Sequence, residues 1–63
     1  MKKATVKGRP VEADSWLGVV NRVLMAQGTR APSKERYLAA SQLSKGVTAV
    51  IGGVLIKPEG ARE

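Results

Sequence analysis

The sequence predicts a small α+β domain with the element order β-α-α-β. Three observations carry this. The basic N-terminal segment alternates with period two, two central segments carry apolar residues at helical spacing, and a β-branched apolar run near the C-terminus is interrupted by Gly52-Gly53.

The first nine residues hold four cations and no acid. With a strand period, Lys3, Thr5, Lys7 and Arg9 fall on one face, while Ala4, Val6 and Gly8 fall on the other. Residues 2–9 are therefore expected as one basic strand, ended by Pro10, which lacks the N–H that a central strand needs. Glu12 and Asp14 read as residues at a helix start, with Asp14 or Ser15 as its cap.

Residues 15–27 form the clearest helix. Trp16, Val19, Val20, Val23 and Leu24 recur at i, i+3, i+4, i+7 and i+8, Leu17 widens the stripe, and Gly28 supplies a left-handed stop. After a turn at 29–32, Ser33 is the expected N-cap of a second helix over 33–45. Its buried side is read as Tyr37, Ala40 and Leu43, with Leu38 and Ala39 beside them, and Lys45 and Gly46 close it. Residues 47–57 are expected as a strand or hairpin. Two apolar runs separated by Gly-Gly are a hairpin signal, because a two-residue turn needs positive φ. One bent strand and a buried helix are the other readings of this run. Residues 58–63 read as a polar tail.

A chain of 63 residues makes one small domain. Such a domain buries only about 60% of its unfolded surface, and disulfides, a metal or self-association are the usual supports. The sequence has no Cys and no His, so a homodimer is the expected support. The run 47–56 is interrupted by Thr48 and the two glycines and is about half the roughly 20 residues needed to span a bilayer. No membrane association is expected, and the chain reads as cytoplasmic.

Enzyme chemistry lacks its parts. Without His or Cys the common base and nucleophile pairs are missing. The acids Glu12, Asp14, Glu35, Glu59 and Glu63 do not form a carboxylate pair on an apolar face. The Ser-Lys neighbours at 33–34 and 44–45 point in different directions on a helix. No glycine pattern matches a phosphate loop or dinucleotide fingerprint, and the acids are too few for an oxygen-ligated metal. The expectation is no catalytic residue, no metal site and no cofactor.

Binding to a polyanion has its parts. Eleven Lys and Arg against five Asp and Glu give a net charge of +6. Lys3, Lys7 and Arg9 could contact phosphates or base edges, with Thr5 bonding either, and a cationic β-ribbon fits the major groove of DNA. A second basic cluster, Arg30, Lys34 and Arg36, lies in the turn and first turn of the second helix, where the N-terminus at Ser33 offers N–H groups to phosphate. Pairing of Arg36 with Glu35 or solvent is the other reading of that residue. The expected function is DNA binding as a regulator or accessory factor.

In the order of its parts, Lys3-Thr5-Lys7 followed by two helices with Ser33-Lys34 at the second helix start, the chain resembles the ribbon-helix-helix family over residues 2–45. The resemblance is architectural, with no diagnostic motif shared. It implies a dimer whose N-terminal strands pair across the two-fold and enter the major groove, with the start of the second helix on phosphate. The segment before the first helix is longer than that pattern, and the 47–56 run is additional.

Two other readings use the same residues. A winged helix-turn-helix would take Gly46-Val47 as its turn, but would put Gly52 and Gly53 in a recognition helix without cations. A protein-interaction module would use the 47–56 run for dimerisation or strand addition, and its charge for an acidic protein partner. Trp16, on the apolar stripe, then reads as a core residue rather than an interface anchor.

Overall fold

A computed structural model describes residues 1–59. It contains six elements: β1 (Lys2–Val6), β2 (Arg9–Ala13), α1 (Trp16–Gln27), α2 (Ser33–Ser44), β3 (Ala49–Ile51) and β4 (Val54–Pro58). They build a four-stranded antiparallel sheet in the order β2-β1-β4-β3, with both helices on one face. The α+β class and the two central helices match the sequence reading.

The expected strand over 2–9 is a hairpin instead. Lys7 and Gly8 adopt φ of 51° and 79° and turn the chain, so that Val6 faces Arg9 and Lys2 faces Ala13. Pro10 does not end a strand. It lies inside β2 opposite Thr5, one step from the pair that closes the turn, where the antiparallel alternation points backbone groups away from β1. On an edge strand this costs no ladder bond. Glu12 is likewise a strand residue, facing Lys3, rather than part of a helix start.

The C-terminal run is also a hairpin, turned at Gly52-Gly53 with φ of 58° and 76°. A side chain at Gly52 would meet Thr29 Cγ2 at 3.0 Å, so this turn packs directly against the residue following α1's C-cap. β4 then runs antiparallel to β1, with Thr5 opposite Lys57, and the Glu59 N–H donates to the Lys3 carbonyl at 2.9 Å. Both edges of β1 are therefore filled within one chain. Pro58 belongs to β4 and is buried, and Glu59 extends the ladder, so these two residues are part of the sheet and not of the polar tail expected over 58–63; residues 60–63 lie outside the described residues.

Alternation assigns each strand residue to a side. Ala4, Val6, Ala13, Ala49, Ile51, Val54 and Ile56 point under the helices and are buried. Val19, Val20, Val23 and Leu24 of α1 and Ala39 and Leu43 of α2 close over them. Trp16 is half-buried against this core. The Ser15 hydroxyl accepts from the Gly18 N–H at 3.1 Å, confirming it as the cap of α1.

Helix α2 departs from its expected face. Its inward stripe is Arg36, Ala39, Ala40 and Leu43, whereas Tyr37 and Leu38 are 63% and 61% exposed. Small residues at 39 and 40 let the helix sit close to α1, and that approach fixes its rotation with the larger side chains outside. Pro32, not Ser33, occupies its N-cap, and no side chain bonds the first turn there.

Two stability changes follow. Lys7 holds a left-handed conformation that Asn tolerates far better, so Lys7→Asn should raise stability by about 0.5 kcal/mol in urea denaturation. Ile56, fully buried in a central strand, should cost about 3 kcal/mol when truncated to Ala. In so small a domain this would leave much of the population unfolded by circular dichroism.

Candidate nucleic-acid interface

The sheet leaves one face uncovered. Lys3 and Thr5 of β1, Pro10 and Glu12 of β2, Leu55 and Lys57 of β4 and Val50 of β3 point outward from it. Lys3 and Thr5 are thus on an exposed sheet face as expected. Lys7 and Arg9 do not continue that face. Lys7 is a turn residue, and Arg9 pairs with Val6, on the side that carries the core. The reason lies in the two-residue turn: every β1–β2 pair joins an odd position to an even one, so the exposed phase switches from odd residues to even ones.

What Lys7 and Arg9 gain is a new set of neighbours. Because β4 is antiparallel to β1, the Lys7-Gly8 and Gly52-Gly53 turns lie at the same end of the sheet. Gly52 in turn abuts Thr29, which opens the α1–α2 connection. Lys7, Arg9, Arg30 and Lys34, all exposed, are therefore carried at one end of the molecule, which measures 27 × 22 × 21 Å. Glu35 is the acid nearest them, in the first turn of α2. Glu12, Asp14 and Glu59 belong to the opposite end, where Lys2 faces Ala13 and Glu59 bonds to Lys3. Two basic clusters more than twenty positions apart in sequence thus share one surface.

Ser33 has a different role from the one its position suggested. Its hydroxyl accepts from Arg36 Nη2 at 2.9 Å, and Arg36 Nη1 donates to Asn21 Oδ1 at 3.1 Å. Arg36 is half-buried and ties α2 to α1, so it acts as a brace rather than as a free cation. Its Nε is buried without a partner. At the opposite end the Lys2 ammonium stands 6.0 Å from the centre of the Trp16 ring, a cation–π contact that covers part of the indole.

Lys57 was not singled out from the sequence. It stands opposite Thr5 on the open face, next to Lys3's strand. The signal was present in the alternation of Val54-Leu55-Ile56-Lys57-Pro58, whose even positions are buried. Leu55 and Val50, cross-strand partners that are 60% and 61% exposed, form an apolar pair on the same face. The described residues contain no cluster of three or more His, Cys, Asp or Glu that could hold a metal. No described helix is long and apolar enough to cross a membrane. The intermolecular ribbon that the ribbon-helix-helix resemblance implies would need a free edge on residues 2–6, which β2 and β4 occupy here.

Comparison with family models, with curated proteins and with solved structures finds no match to this chain.

The bracing arginine and an exposed lysine differ in what they contribute to stability. Arg36→Ala removes two interhelical or cap-region hydrogen bonds and should cost about 1–2 kcal/mol, whereas Lys34→Ala, on the exposed first turn, should stay within about 0.5 kcal/mol. Paired urea titrations of the two variants check this.

Proposed function

We propose that the chain is a small DNA-binding protein, of the regulatory or accessory kind, that works as a homodimer and grips phosphate through the end of the domain carrying Lys7, Arg9, Arg30 and Lys34. The observation that supports this reading is the convergence of those four cations from two separate parts of the sequence, on a chain of net charge +6. Lysine and arginine at a phosphate lattice release condensed counterions, which supplies affinity without base contacts. The first turn of α2, uncapped by any side chain, adds N–H groups of the positive helix end beside Lys34. Lys3, Thr5 and Lys57 on the open face are the second contact set, suited to backbone or base edges alongside.

Four phosphate contacts per chain give a defined salt dependence. With duplex DNA, log K against log salt should fall with a slope of about −3.6 per chain engaged, and removing Lys7 or Arg30 should each flatten it by about 0.9. Fluorescence anisotropy with a labelled duplex, repeated from low to moderate salt, measures both. Replacing all four cations by Ala should abolish binding while the circular dichroism spectrum is retained. If that variant binds like the parent, the turn end is not the interface. Lys3→Ala with Lys57→Ala separates the open face in the same assay. The alternative, an acidic protein partner, would use the same cations, and a partner retained from extract after nuclease treatment, without DNA binding at moderate salt, would favour it.

A further inference from the structure

The two edges of the sheet are built differently. On β2 the residues whose backbone groups face away from β1 are Pro10 and Glu12. One has no N–H and the other is charged, and both are devices that stop a further strand from adding. On β3 the outward position is Val50, because Ile51 pairs with Val54 to close the turn and Val50 is the next residue along. Val50 is apolar and 61% exposed. The whole segment from Gly46 to Ile56 contains no charged residue and no proline.

We infer that the β3 edge is the interface of a homodimer, with Val50 pairing to the Val50 of a second copy to give one continuous eight-stranded sheet. This rests on the homodimer in the function proposed above and deepens it by naming the surface. Three features select a second copy as the occupant. Each copy carries +6, so like copies approach at least cost through uncharged surface, and the exposed residues of Gly46–Ile56, Val47, Val50 and Leu55 among them, supply it. Pairing two antiparallel β3 strands about Val50 is self-complementary, as a two-fold interface requires. It also extends the Leu55–Val50 pair into a row of four apolar side chains, Leu55 and Val50 from each copy, across the open face. Along the β3 edge itself, exposed Leu38 of α2 lines a groove with Thr48 and Val50. The same pairing draws the two α2 helices together over that groove. Its one charged lining residue, Glu35, is an acid presented to a basic copy.

Sedimentation equilibrium and amide hydrogen exchange, both without nucleic acid, test the interface. The parent should sediment as a dimer at micromolar concentration, and Val50→Lys as a monomer with an unchanged circular dichroism spectrum. Glu12→Lys, on the other edge, should stay dimeric. The Val50 amide should exchange more slowly as concentration rises. A monomeric parent would overturn both the interface and the homodimer. A dimer that survives Val50→Lys, or whose Val50 amide exchanges as fast as an open edge, would overturn the interface alone. DNA affinity is read in a separate assay and falls or stands independently. Should Val50→Lys fail to fold, exchange at Val50 in the parent decides the matter.

Discussion

The pairing of β1 with β4 is the constraint on which the rest of this molecule depends. Each terminal hairpin is local and could bury little by itself, since an isolated two-stranded hairpin is marginal in water. Joined through Thr5 and Lys57, and extended by the Glu59 N–H on the Lys3 carbonyl, they become one sheet wide enough for two helices to cover. Ala4, Val6, Val54 and Ile56 then share a single apolar surface, and the valine stripe of α1 has something to pack against. A domain without cysteine, and so without disulfides, has few other ways to close a core at this length.

The helices were legible because their signals are local and redundant. Apolar spacing, a serine at the start and a glycine at the end agree for α1, and each is met in the structure. The turn at Gly52-Gly53 was legible as one of three readings for the same reason, since glycine relieves the positive φ. The turn at Lys7-Gly8 was hidden because one of its two left-handed residues is a lysine, which seldom adopts that conformation. The alternating cations made an unbroken strand more attractive than a turn. On α2 the error was one of rotation: Tyr37 and Leu38 are the larger apolar residues, but the alanines beside them decide how closely the helices approach.

The candidate site shows the same division. Which residues are cationic is plain from composition, but which of them act together depends on topology. Arg30 and Lys34 share an end of the molecule with Lys7 and Arg9 only because β4 returns beside β1 and brings the Gly52 turn against Thr29. Arg36 looks like another member of the cluster in sequence and is instead consumed by Asn21 and Ser33. No pattern within a single element could have distinguished the two fates, because the difference lies in contacts between elements. Lys57 was overlooked for a related reason: the apolar run drew attention to its buried positions and away from the outward ones.

The order of strands also sets a schedule for folding. Among the described elements the two central strands are the first and the last in order, so the contact that completes the sheet joins the most distant of these segments. Loop closure over such a separation is entropically slow, and contact order of this kind retards folding relative to a helical bundle of equal length. While the chain emerges from a ribosome, the first hairpin and both helices exist before their missing strand does. Their apolar faces stay open until residues 54–59 arrive, and β1 waits through that interval with one unfilled edge. The cations of that first hairpin are present throughout the interval, and like charges beside an unfilled edge disfavour its pairing with another copy.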